Sequence, residues 1–217
     1  MDVERARMNM IESQIRTWEV LDQTVLDLLW EIKREEFVPP QYRALAFADM
    51  EIPLGHGEVM LAPRLEARML QELALTKADK VLEVGTGSGY VTALLSRLAG
   101  QVVSVERIGE FSHAAARKLA GHGIENVTLE IGDAADGWPR QAPYDAILLT
   151  GSVPVLPEAF KEELAPGGRL LAVIGQEPVM TATLITRVSD KAYESVGLFE
   201  TCIPPLRNVK QPERFVF

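Results

Sequence analysis

Cysteine is nearly missing from this chain. Cys202 stands alone in 217 residues, and one thiol cannot close an internal disulfide, which fits a reducing compartment. Histidine is scarce too, with three in the chain. No second His or Cys accompanies His56 at metal-ligand spacing, so no metal site is expected. No Ser-His-Asp or Cys-His set stands out. Basic residues are outnumbered, 22 Lys and Arg against 31 Asp and Glu, for a net charge of −9. That balance argues against a broad nucleic-acid footprint and against anionic membrane surfaces. No run is long and apolar enough to span a bilayer. Asp2, Glu4, Arg5 and Arg7 break up the start, so no signal peptide is expected and the reading is cytoplasmic. Repeats and low-complexity tracts are absent as well. The length allows one large domain, or one domain with an elaboration.

What is present is organised around Val81-Leu-Glu-Val-Gly-Thr-Gly-Ser-Gly-Tyr90. Val81 to Val84 read as a buried parallel strand. Gly85, Gly87 and Gly89 follow at alternate positions, and Val91, Leu94, Leu95 and Leu98 then recur at helical spacing. Strand, glycine turn and helix form the first half of a nucleotide-binding unit. The dinucleotide fingerprint is G-x-G-x-x-G, with a pyrophosphate at the helix N-terminus. Here the spacing is G-x-G-x-G, with an acid, Glu83, just before it. A carboxylate there would repel a pyrophosphate and suit a ligand with positive charge. S-adenosylmethionine (AdoMet) has a sulfonium, an ammonium and no phosphate. A second signal is Val102-Val-Ser-Val-Glu106, an apolar run that ends in an acid 21 positions after Gly85. That is about where a ribose-binding acid belongs.

The rest of the chain falls into order around this unit. Residues 3–17 read as a helix, and Asp22 as the N-cap of a second, with Val25, Leu28, Leu29 and Ile32 on one face. Phe37-Val38-Pro39-Pro40 stops it. Tyr42 to Ala48 form a short helix. Residues 51–63 hold two glycines, two prolines, His56 and Glu58, and read as an irregular loop of the kind that carries function. Pro63 opens a helix that buries Leu65, Met69, Leu70 and Leu73. The boundary between a helical N-terminal part with the active-site loop (1–76) and the core (77–217) falls near residue 77. Past Glu106, a helix covers 111–119 and Gly121-His122-Gly123 ends it. Val127, Leu129 and Ile131 alternate as a strand running into Gly132-Asp133-Ala134. Asp133, past a strand's carboxyl end, lies where open α/β sheets bind ligands and can accept from an adenine amino group. Tyr144 to Thr150 read as a central strand and residues 157–164 as a helix. Pro166-Gly167-Gly168 read as a tight turn before a strand over 169–174. Residues 180–188 and 193–199 read as a hairpin, and the tail from Ile203 as packing over an edge. The fold expected is α/β: a mostly parallel, doubly wound, Rossmann-like sheet of the class I methyltransferase kind, with an N-terminal helical elaboration.

With these pieces placed, the sequence resembles the AdoMet-dependent methyltransferases, and more narrowly the protein-L-isoaspartate O-methyltransferase family. Leu82 to Tyr90 is similar to that family's first motif, and Ser104-Val-Glu-Arg107 to its second-strand acid. Tyr144-Asp-Ala-Ile147, Leu164-Ala-Pro-Gly-Gly-Arg-Leu170, Arg34-Glu-Glu-Phe-Val-Pro39, Ala48-Asp49 and Ile52-Pro-Leu-Gly-His-Gly57 add to the likeness. The resemblance implies that Gly85, Thr86, Gly87, Ser88 and Gly89 line the methionine part of AdoMet, with Glu83 nearby. It implies that Glu106, with Arg107 beside it, takes the ribose hydroxyls, and that Asp133 and Ala134 contact adenine. It implies a substrate pocket of His56, Val59, Met60, Leu61 and Thr150, and protein or peptide substrates whose isoaspartyl residues become methyl esters at the start of repair. One departure stands out. After Gly-His-Gly the family reads Gln-Thr-Ile-Ser-x-Pro, and here the chain reads Glu58-Val-Met-Leu-Ala-Pro63. Leu61 replaces a serine that faces the transfer site and cannot donate a hydrogen bond, and a site that loses such a partner discriminates strongly. Three functions therefore stay open: isoaspartyl carboxyl methylation, methylation of another acceptor, and AdoMet binding without transfer. No catalytic residue is assigned, because a carboxylate acceptor needs no base. A hydroxyl acceptor would need one, and His56 is the nearest candidate.

Overall fold

A computed structural model describes residues 2–212. The first helical stretch divides into three. Helix α1 (Val3–Met10) is capped by Asp2, and a π-helical turn over Ile11–Ile15 and a 3₁₀ turn over Arg16–Trp18 extend it. Helix α2 (Gln23–Glu31) starts at Asp22, whose carboxylate accepts from the amides of Thr24 and Val25. The segment expected as a helix over 42–48 is a 3₁₀ run, Pro40–Leu45.

Residues 51–63 are not an irregular loop. They hold a two-stranded hairpin, β1 (Ile52–Gly55) and β2 (Glu58–Met60), in antiparallel register with Ile52 opposite Met60. His56 and Gly57 turn the corner with φ of +55° and +80°. Strands this short, interrupted by Pro53 and ending in Gly55, have no room to show a period of two. Helix α3 (Pro63–Leu73) follows.

The large sheet takes its elements in order: β3 (Lys80–Val84), α4 (Tyr90–Leu98), β4 (Gln101–Glu106), α5 (Gly109–Gly121), β5 (Val127–Ile131), β6 (Tyr144–Leu149), α6 (Glu158–Glu162), β7 (Leu164–Gln176), β8 (Val179–Ser189) and β9 (Ala192–Glu200). The strand order is β5-β4-β3-β6-β7-β8-β9. The first five strands are parallel, and β8 and β9 add antiparallel to β7. This is the doubly wound, mostly parallel sheet expected. The turn expected at Pro166–Gly168 lies inside β7, where the partner of Tyr144 is Leu164 but that of Ala146 is Arg169.

The central strands are mostly apolar because the sheet is covered on both faces. Val81 joins the core under α3 and α4, while Leu82 and Val84 join the one under Phe160 and Trp138. The N-terminal helices share the first of these cores, through Met10, Ile15 and Leu29. The chain winds from β3 outward to β5, then crosses back to β6 on the other side of β3. That reversal leaves a crevice beyond the carboxyl ends of β3 and β6. The tail does not pack over an edge. It crosses this end of the sheet, where Ser152 and Pro205 form a parallel bridge. Among the described residues no helix is long and apolar enough to cross a membrane.

Candidate active site

The crevice is a cavity of about 960 Å³ including its mouth. Its floor is the turn between β3 and α4. Gly85 has φ of +100°, and a Cβ there would collide with the Thr150 hydroxyl. That hydroxyl lies 2.8 Å from the Val84 carbonyl and 2.7 Å from that of Gly85, tying the end of β6 to the start of the turn. Gly85, Thr86, Gly87, Ser88 and Thr150 all line the cavity. Gly89 does not. It sits at φ +82°, and a Cβ would come within 2.9 Å of the Ala115 methyl. Its absence of side chain serves the packing of α4 on α5.

Glu106, at the end of β4, faces the cavity from one side. One carboxylate oxygen accepts from the Gly87 amide at 2.9 Å and the other from the Ile108 amide at 2.8 Å. Glu106 thus holds the glycine turn in shape. Asp133, beyond β5, accepts from the Ala135 amide at 3.0 Å and, through its second oxygen, from the Asn208 side chain. Arg107 stands 3.9 Å from it, and Arg107 and Ala134 line the same end.

Glu83 points the other way. Side chains alternate along a strand, so Glu83 shares the face of Val81 and lies fully buried against α4. It accepts from Thr92 and Ser104, each at 2.6 Å, and Ser104 is 2.5 Å from the Thr86 hydroxyl. Burial pushes its carboxyl up to about 8, so at neutral pH it is largely protonated. It braces the turn from below rather than presenting charge to a ligand. His56 is also turned away from the cavity. Its ring is 2.9 Å from Glu110 and meets Phe111 edge-on, with about half the side chain exposed. A position at the apex of a two-residue turn directs its side chain outward, which sets aside His56 as a base.

The wall opposite the glycine turn is the hairpin and the start of α3. Val59, Met60 and Leu61 line the cavity, as do Leu54 and Glu66. Leu61 is held by its main chain: Arg34 donates to its carbonyl at 2.6 Å and to that of Ala46 at 3.0 Å. The same guanidinium pairs with Glu66 and lies over the Tyr90 ring. Burial raises the Glu66 carboxyl and Arg34 opposes that rise. A charged residue among the buried positions of an apolar helix face was the one sequence signal for this pair. The tail closes the cavity. Ser152 donates its amide to the Pro204 carbonyl and accepts from the Leu206 amide, both at 2.9 Å. Leu206 then lies over Gly151, and Arg207 reaches Glu58 on the hairpin at 2.7 Å. Nothing local in the sequence marks Leu206 or Arg207 as site residues.

The model of the family described as protein-L-isoaspartate(D-aspartate) O-methyltransferase (PCMT) matches residues 5–206. The chain belongs to this family. Among PCMT relatives, the protein-L-isoaspartate O-methyltransferase of Anaeromyxobacter dehalogenans is 42% identical over 186 residues, 85% of this chain and 88% of its own length. Protein-L-isoaspartate O-methyltransferase 1 of Rhodopseudomonas palustris is 40% identical over 190 residues, 88% and 77% of the two chains. A Plasmodium falciparum structure in complex with S-adenosyl-L-homocysteine superimposes with a TM-score of 0.79 over 92% of this chain and 97% of that one; at 20% identity, the likeness is one of fold. Val59 and Leu61, the positions at which the sequence departs from the motif it resembles, both line the cavity.

Proposed function

We propose that this chain transfers the methyl group of AdoMet to a carboxylate of the isoaspartyl type on a protein or peptide. The observation that carries the reading is the joining of two walls in one cavity: the glycine turn held by Glu106, and the hairpin 54–61 facing it. The donor set suits AdoMet. Each Glu106 oxygen accepts one amide, so about two of its four lone-pair positions remain for ribose hydroxyls. Glu106 and Asp133 bring carboxylates to the cavity beside the glycine turn, which suits a ligand without phosphate. Asp133 and Ala134 sit where the adenine would lie, and Gly85, Thr86, Gly87 and Ser88 would line the methionine part.

AdoMet, when bound, supplies an electrophilic methyl group on a sulfonium. A carboxylate is already a nucleophile at neutral pH, so the chain's task is to place it in line and keep water out. Leu54, Met60, Leu61 and Leu206 supply apolar cover at the facing wall. The single cysteine suits a reducing compartment, and we place the reaction in the cytoplasm.

A second reading, an acceptor other than an isoaspartyl carboxylate, is favoured by Val59 and Leu61. The experiment is transfer of labelled methyl from AdoMet to an isoaspartyl peptide, by the native chain and by Leu61→Ser. Transfer by the native chain supports the first reading. Transfer only by Leu61→Ser supports a redirected acceptor. Silence from both rejects the isoaspartyl reading.

A further inference from the structure

An acceptor carboxylate faces an unfavourable cavity here. Glu58, Glu66, Glu106 and Asp133 already place carboxyl groups in its wall, and the side chains of Leu54, Val59 and Leu61 offer no donors. A buried or half-buried anion without hydrogen-bond donors is costly. Two cationic side chains line the cavity among the described residues, Arg107 and Arg207. Arg107 stands at the Asp133 end. Arg207 stands at the hairpin end, against Gly57 and Glu58, and lines the same cavity as Val59 and Leu61.

We propose that Arg207 anchors the acceptor's carboxylate, supplying from the tail the donors that Val59 and Leu61 lack. This inference rests on the carboxyl-transfer reading above. The tail presents Arg207 from a fixed base: Ser152 grips the Pro204 carbonyl, the Leu206 amide and, through its hydroxyl at 2.9 Å, the Ile203 carbonyl. Leu206 is wedged over Gly151 and near Gly85, so the next side chain starts at the crevice between β3 and β6. Arg207 then spends Nε on Glu58 at 2.7 Å and one Nη2 hydrogen on the His56 carbonyl at 3.3 Å. A guanidinium has five N–H donors, so about three remain, enough for the two-point grip that suits a carboxylate. The side chain is 51% exposed and its partner Glu58 25%, which leaves the group accessible from the mouth. Glu58 acts in this arrangement as a resting partner that the acceptor must displace or share.

A plain clip between tail and hairpin would use the same two residues, and the two roles predict opposite signs. The experiment measures the Kd of a short synthetic isoaspartyl peptide, in the presence of saturating S-adenosyl-L-homocysteine, for the native chain, Arg207→Gln, Arg207→Lys and Glu58→Gln. The Kd for S-adenosyl-L-homocysteine is measured for each. An anchor predicts a rise in peptide Kd of about tenfold or more in Arg207→Gln, as expected for a lost charged hydrogen bond. Arg207→Lys recovers part of it, and Glu58→Gln tightens the peptide by about two- to fivefold, because a competitor is gone. Cofactor-product binding stays level throughout. If Arg207→Gln and Glu58→Gln weaken the peptide alike, or if Arg207→Gln leaves it unchanged, the anchor is rejected and the carboxyl-transfer reading stands. If the native chain binds S-adenosyl-L-homocysteine but not the peptide, both fall. If it binds neither, the AdoMet site falls with them.

Discussion

The two walls of the cavity are built in different ways. The glycine-turn wall is a continuous stretch, Gly85 to Ser88, shaped by backbone and held by Glu106 and Thr150 from the adjacent strands. The facing wall is held by charged side chains: Arg207 with Glu58 joins the hairpin to a tail 149 residues further on, and Arg34, paired with Glu66, holds the Leu61 carbonyl. One wall depends on where strands end. The other depends on ion pairs between distant segments, so it can change its lining without disturbing the cofactor side.

The contrast breaks hardest at Arg34. Arg34→Met leaves Glu66 buried without its cation and strips the donor from the Leu61 and Ala46 carbonyls. Loss of one partner of a buried pair costs on the order of 3–5 kcal/mol, which chemical denaturation will read. Replacing both partners with apolar residues, Arg34→Met with Glu66→Leu, is expected to restore much of that stability while leaving the hairpin wall displaced.

On the other wall, Glu106→Ala removes the acceptor of two turn amides. AdoMet affinity is expected to fall by about a hundredfold, or roughly 2–3 kcal/mol for the lost charged hydrogen bonds, in a calorimetric titration. Peptide binding at the hairpin side falls only through the lost cofactor.

A smaller effect separates structure from chemistry at Glu83. Its carboxyl rises from 4.5 unfolded to about 8 when folded, through burial. The folded chain therefore holds more protons in that window, and this contribution to stability is present at acid pH and lost as pH rises from about 4.5 through about 8. The melting temperature of the native chain is expected to drop between pH 6 and pH 9. Glu83→Gln keeps an acceptor for Thr92 and Ser104 without the charge, so its melting temperature should slope less over the same range. A native slope as flat as the variant's would contradict the assignment. The smallest effect belongs to His56→Ala. Its ring lies on Glu110 and Phe111 outside the cavity, and the methyl-transfer rate is expected to be unchanged within twofold.

Much of this molecule is legible from local pattern, and each failure has a physical cause. The strand-glycine-helix unit, Glu106, Asp133 and Thr150 were readable because strand ends in a parallel sheet all open on one side. Glu83 misled because strand alternation sends it under the turn, where Thr92 and Ser104 hold it. The hairpin was hidden by Pro53 and by strands of three and four residues. The tail was misplaced because its position comes from Ser152, about fifty residues earlier, and not from its own residues.

The sequence by itself determined the parallel core strands, the glycine turn and the acids beyond the strands, since backbone periodicity and glycine conformation are local properties; the order of the last strands came only with the structure. It also showed apolar residues at 59 and 61, Val and Leu, in the stretch before Pro63. Only the tertiary structure decided that Glu66 and Arg34 hold the hairpin wall, that His56 faces out, and that Arg207 faces in. Those outcomes depend on which distant segments meet at the mouth of the crevice, and an ion pair between residues 58 and 207 leaves no periodicity in either segment.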